Sequence, residues 1–184
     1  MQFILNVYNN SIRSHTGDTL PIWILRDFER CTGCRLCEMV CSLEHEGVVW
    51  FEASRIKVFK LFPGVEIPVL CSQCLDYPCV HACPTKALST DSETGAVIVD
   101  PSKCNACGLC IEKCPGHIPF IHPTKKYVII CDLCKGSPKC VEICNKLGFG
   151  ALRVIEDLVI TNRKDYAKDP LEIFKSLHSK VYNE

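Results

Sequence analysis

Sixteen cysteines fall into four groups of four, and none is left over. The groups are Cys31, Cys34, Cys37 and Cys41; Cys71, Cys74, Cys79 and Cys83; Cys104, Cys107, Cys110 and Cys114; and Cys131, Cys134, Cys140 and Cys144. The first and third read C-x2-C-x2-C-x3-C; the second adds two residues between its middle cysteines and the fourth adds three. Thiolates are soft ligands, and a set of four repeated four times asks for a thiophilic centre with four coordination positions.

The spacing is that of a [4Fe-4S] ferredoxin motif, so four cubanes are expected, with all sixteen cysteines as metal and cofactor ligands. A cubane presents four irons at the corners of a tetrahedron, and each takes one thiolate. Three cysteines on a tight loop wrap one cluster. The fourth follows after three more residues, on the first turn of a helix, and points away from that loop; in ferredoxins with this motif it ligates the other cluster of a pair. Pro84 and Pro115 follow the fourth cysteine in groups two and three; Ser42 and Asn145 stand there in groups one and four.

Other cysteine chemistry fits less well. Disulfides staple small secreted folds, but cysteines two residues apart are poorly placed to cross-link distant segments. Zinc ribbons use two C-x2-C knuckles, which leaves the third and fourth cysteine of every group unexplained. Unpaired redox thiols need no fourfold repetition.

The length of 184 residues suits one domain or two small lobes. With sixteen residues committed to metal, cluster binding supplies folding free energy and the apo chain is expected to be largely unfolded. Formal net charge is zero. Sixteen thiolates against four oxidised cores leave about −8 more in the loaded protein, which disfavours a nucleic-acid role. The stretch from Met1 to Leu25 lacks a basic segment followed by a long apolar one, and no apolar run approaches spanning length. The expectation is a soluble, cytoplasmic chain without direct membrane insertion, although an exported partner could carry it across.

Short strands are expected from Gln2 to Tyr8 and in the apolar stretch Pro21 to Phe28, with polar, turn-rich chain from Asn9 to Thr19 between them. Arg55–Leu61 and Val65–Leu70 read as strands around Phe62-Pro63-Gly64, Ala87–Ser89 and Ala96–Asp100 as a second hairpin, and Lys125–Ile130 as a strand entering group four. At the C-terminus Asp169 can cap a helix, Pro170 suits its first position and Glu172 completes a capping box. Leu171, Phe174, Leu177 and Val181 recur at helical spacing. The helix is read as packing on its own lobe, with presentation to a partner as the alternative. Among six histidines His81, between Cys79 and Cys83, is the one placed to tune a cluster. Arg35, Lys103, Lys113 and Lys135 also lie near cysteines.

The four groups in this order resemble the sixteen-cysteine electron-transfer subunits of anaerobic oxidoreductases, such as the partners of molybdenum enzymes of the dimethyl sulfoxide reductase type. The resemblance covers roughly Cys31 to Val154. The run from Cys31 to Gly47, followed by Ser54-Arg55-Ile56, and the short gap from Lys135 to Lys139 look closest to the small subunits of tungsten-containing aldehyde oxidoreductases and of related tungsten benzoyl-CoA reductase complexes. The molybdenum branch is the runner-up.

That resemblance implies an α+β chain of two ferredoxin-like bis-[4Fe-4S] lobes, one nested in the other. The inner lobe is residues 71–114; the outer is 26–45 plus 125–155; 156–184 is a C-terminal helical extension of the single 1–184 chain. The implied ligand sets are Cys31, Cys34, Cys37 with Cys144; Cys131, Cys134, Cys140 with Cys41; Cys71, Cys74, Cys79 with Cys114; and Cys104, Cys107, Cys110 with Cys83. The group-one cluster then faces the catalytic subunit, followed by group four, group two and group three.

The chain carries no P-loop, no dinucleotide fingerprint and no residue set for acid–base or nucleophilic chemistry, so no catalytic residue is assigned. The expected role is one-electron relay between a large tungsten- or molybdenum-pterin subunit and a redox acceptor such as ferredoxin or a further subunit. A free polyferredoxin carrier is the rival, and co-elution with a large subunit separates the two.

Overall fold

The computed structural model describes residues 22–62, 64–155 and 167–182. The expected strand Gln2–Tyr8, the stretch Asn9–Thr19, Pro63 and residues 156–166 lie outside them.

The chain is a mixture of short helices and two-stranded antiparallel sheets. Strand β1 (Trp23–Arg26) enters group one, whose third and fourth cysteines lie on α1 (Leu36–Glu46). A 3-10 turn at Phe51–Ala53 leads into the hairpin β2 (Lys57–Phe62) and β3 (Val65–Val69). Group two surrounds α2 (Pro78–His81), and the hairpin β4 (Leu88–Thr90) and β5 (Val97–Val99) follows. Group three surrounds α3 (Leu109–Lys113); β6 (Phe120–Ile121) and β7 (Val128–Ile129) then lead to group four and α4 (Lys139–Lys146). Strand β8 (Leu152–Ile155) and helix α5 (Pro170–Tyr182) complete the described chain. The strand expected over Lys125–Ile130 is formed only at Val128–Ile129, because its partner Phe120–Ile121 is two residues long.

Sequence neighbours form three of the sheets, while β1 pairs with β8 from the other end of the chain, Trp23 opposite Ile155 and Arg26 opposite Leu152. Helices pair in the same crossed manner: α1 packs on α4, and α2 packs on α3. Pro78 opens α2, where its missing N–H costs nothing. Gly47 ends α1 in the left-handed region at φ 72, its N–H bonded to the Leu43 carbonyl at 3.0 Å.

The apolar core is thin and interleaved with thiols. Ile24, Ile56, Ile67, Leu70, Ile118 and Leu133 are fully buried in one cluster that also takes in nine of the cysteines. Helix α5 packs on β2 and β3, with the Phe174 ring 5.3 Å from that of Phe62 and Ile173 buried, so its support is the inserted hairpin between groups one and two. Asp169 caps it through a bond accepted from the Leu171 N–H at 2.8 Å. The side chains of Leu177 and Val181 are outside the described residues.

Candidate metal centres

Each cysteine group has a left-handed residue at the same place. It is the residue before the second cysteine: Gly33 at φ 67, Gln73 at φ 50, Ala106 at φ 56 and Leu133 at φ 57. An L-residue there carries a steric cost, and its recurrence in four loops marks a conformation imposed by function rather than by propensity. The turn aims the Gln73 N–H at Cys71 Sγ, 3.4 Å away. Beyond the fourth cysteines, Ala87 N–H reaches Cys83 Sγ at 3.2 Å and Ile118 N–H reaches Cys114 Sγ at 3.4 Å. Such bonds stabilise thiolate charge and tune a cluster's potential.

The third cysteine, not the fourth, opens each helix. Cys37, Cys79, Cys110 and Cys140 sit in first turns; Cys41 and Cys144 follow one turn on within α1 and α4, and Cys83 and Cys114 just past the ends of α2 and α3. In α1 and α4 the third and fourth cysteines thus share one helix face, about 6 Å apart along the axis. One helical turn can reach two neighbouring centres.

The structure brings the thiols together across groups. Cys31, Cys34, Cys37 and Cys144 line one hollow. Cys41, Cys131, Cys134 and Cys140 line another. Cys79 feels the charge of Cys114 and Cys74, and Cys110 that of Cys104, Cys83 and Cys107. Exposure is graded. Cys34 and Cys107 are exposed, whereas Cys71, Cys74, Cys79 and Cys114 are all buried, as are Cys41, Cys131 and Cys140.

These sets fit an iron–sulfur core. Burial first, and neighbouring thiolates second, push Cys79 up to about 12 and Cys110 up to about 11. Burial raises Cys71, Cys131 and Cys140 well above the ordinary thiol range. Four thiolates converging on an apolar cavity are not compatible with one another unless a cationic core lies between them. All sixteen thiols are unbridged.

One polar arrangement was not read from the sequence. His45 lies one helical turn beyond Cys41, with Nδ1 at 2.7 Å from the Cys41 carbonyl oxygen and 3.8 Å from its Sγ. Its Nε2 is 3.0 Å from Asp132 Oδ1, and Asp132 accepts from the Cys134 N–H at 3.1 Å. Burial opposes the imidazolium, but the bonds to Asp132 and Cys41 outweigh it and raise His45 to about 10. The Arg55 N–H adds a bond to Cys41 Sγ at 3.3 Å. Burial works against the Cys41 thiolate, and His45 and Arg55 together bring that thiol below its ordinary range. The i, i+4 spacing of Cys41 and His45 was the available signal. His81, the histidine singled out by position, is exposed. Of the basic residues near cysteines, Arg35 pairs with Glu38 and stacks 4.5 Å over the Phe51 ring, and Lys103 pairs with Asp100 at 2.9 Å.

A family model described as a 4Fe-4S dicluster domain matches residues 64–150. The polyferredoxin-like subunit of aliphatic sulfonate oxidoreductase from Pyrococcus furiosus is 54% identical over 163 residues, spanning 89% of this chain and 94% of that one. This chain belongs to the polyferredoxin-like family of iron–sulfur electron-transfer subunits. The thiosulfate reductase electron transfer subunit PhsB of Salmonella typhi is 33% identical over 147 residues, spanning 70% of this polyferredoxin-like chain and 75% of its own length. Members carry electrons within oxidoreductase complexes, and this one, with its sixteen cysteines, carries four [4Fe-4S] clusters. Among solved structures, the BamBC active-site complex of benzoyl coenzyme A reductase contains a chain with a TM-score of 0.45 and 24% identity, over 90% of this chain and 93% of that one. So loose an overlap decides nothing about a partner. Among the described residues, no helix is long and apolar enough to cross a membrane.

Proposed function

We propose that this chain relays single electrons between a tungsten-pterin catalytic subunit of the aldehyde oxidoreductase type and an external acceptor. The graded burial of the cysteines carries the reading: groups one and three each hold one exposed thiol, Cys34 and Cys107, and groups two and four hold none. A wire needs open ends and an insulated middle, because solvent at an inner cluster adds reorganisation cost and side reactions. The cofactor supplies the one-electron redox change; the chain supplies position, insulation and potential.

The ligand sets follow the crossed pattern: Cys31, Cys34, Cys37 and Cys144; Cys131, Cys134, Cys140 and Cys41; Cys71, Cys74, Cys79 and Cys114; Cys104, Cys107, Cys110 and Cys83. Helix α1 on α4, closed by β1 on β8, supports an outer lobe of residues 26–45 and 125–155. Helix α2 on α3 supports an inner lobe of 71–114. Group one then faces the catalytic subunit and group three the acceptor, a ferredoxin or a further subunit. Free thiols and the absence of a spanning helix among the described residues are in keeping with a cytoplasmic site of action.

The partner class rests on the Cys31–Gly47 and Ser54–Ile56 stretches. The 54% identity to a subunit of an aliphatic sulfonate oxidoreductase favours, as a second reading, a catalytic subunit acting on sulfonates. Purification from the native source under anaerobic conditions tests both. A co-eluting large subunit containing tungsten supports the proposal, molybdenum moves it to the other branch, and a chain eluting alone refutes it. Assay of the complex with aldehydes and with alkane sulfonates then separates the substrate readings.

A further inference from the structure

The two pairs of centres meet at one side chain. Gln73 lies in the group-two loop and is fully buried. Its Nε2–H donates to the Cys131 carbonyl of the group-four loop at 3.0 Å. Its Oε1 accepts from the Val97 N–H on β5 at 3.2 Å. Its own backbone N–H reaches Cys71 Sγ at 3.4 Å. The donor and acceptor needs of Cys131 and Val97 fix which end of the amide is which. Cys71 and Cys131 are close: after burial itself, Cys131 is the foremost influence on the Cys71 thiol.

The position also argues for a selected role. It is the left-handed point of the loop, filled in the other groups by Gly33, Ala106 and Leu133. Glycine is the unstrained choice there. Glutamine accepts the backbone cost and uses both ends of its amide.

We infer that Gln73 is the bridging residue through which the group-four and group-two centres exchange electrons. The route runs from Cys71 Sγ across one hydrogen bond to the Gln73 N–H, along its side chain, and across a second bond to the Cys131 carbonyl. Covalent bonds and two hydrogen bonds replace an open gap. In the step one centre is oxidised by one electron and the other reduced by one; no proton or atom moves, and Gln73 keeps both amide hydrogens. The inference rests on the ligand sets proposed above, which put Cys71 and Cys131 on different clusters.

The test uses the full, cluster-loaded chain under anaerobic conditions. Gln73→Met keeps the volume without the amide, and Gln73→Asn keeps the amide one methylene short. Iron content is measured first. Multifrequency EPR of the reduced protein then separates the through-bond part of the splitting between the two inner clusters from the through-space part set by distance. We expect both variants to bind iron like the parent, to lose the through-bond part and to keep the through-space part. An unchanged through-bond splitting in either variant overturns the bridge. Loss of clusters in both makes the amide a structural clamp alone and equally overturns it. If the interacting pair survives in Cys71→Ala, the ligand sets fail and the bridge with them; if the pair is lost in Cys71→Ala while the through-bond part persists in the Gln73 variants, the bridge alone fails.

Discussion

At the scale of single residues, the cluster loops are built against local preference. Gly33 shows the constraint most simply. Its φ of 67 is left-handed, and a Cβ there would lie 2.6 Å from Glu66 Cδ, on a side chain that is itself buried and paired with Lys60. Gly33→Ala should therefore destabilise the group-one loop by about 1–2 kcal/mol. The check is faster loss of iron to a chelator, with the other three sites unaffected. The four cysteine groups were legible because thiol spacing is a geometric code. The residues around them were not. Gln73, His45, Arg55 and Asp132 reach partners across the chain, and Gln73 meets a carbonyl 58 positions away. Nothing in a linear sequence marks such a meeting.

At the scale of elements, one helical turn separates the third and fourth cysteines, and the paired helices place each fourth cysteine beside a foreign loop. Cys83→Ala should therefore damage the site of Cys104, Cys107 and Cys110, reducing iron from about sixteen to about twelve per chain. EPR showing damage at Cys71, Cys74 and Cys79 instead would overturn the exchange. A second tie joins the end of α1 to the β6–β7 hairpin. Glu46 takes Lys125 Nζ at 2.8 Å and His122 Nε2 at 3.3 Å, while His122 Nδ1 accepts the Thr124 and Lys125 N–H groups. Burial opposes the Glu46 charge, but the bonds from Lys125 and His122 outweigh it and hold the carboxyl below its ordinary 4.5. The folded value being the lower one, this tie contributes fully above 4.5 and is lost as pH falls through the folded value. Glu46→Gln should lower stability at neutral pH and flatten the acid limb of the unfolding profile below 4.5, measured by thermal melts across pH. Hairpins β2–β3 and β4–β5 were legible because both strands and the turn are contiguous. The pairing of β1 with β8 was not, since alternation marks a strand and not its partner.

At the scale of the molecule, the four centres fall into one order by contact. Helices α1 and α4 join groups one and four, Gln73 joins four to two, and α2 and α3 join two to three. Exposed Cys34 and Cys107 stand at the two ends of that order. The sequence resemblance implies the same order for the proposed relay, and the exposure of Cys34 and Cys107 is in keeping with it. Loaded with clusters, the protein should also migrate as an anion of about −8 near neutral pH, against zero for the formal count. The most direct test of the relay removes its last site in the assembled complex. With the group-three site disabled by Cys107→Ala, the substrate of the catalytic subunit should still reduce the other three clusters, while transfer to the external acceptor slows sharply. If substrate then reduces no cluster at all, electrons enter at group three and the order runs the other way; if acceptor reduction is unchanged, group three is not on the wire.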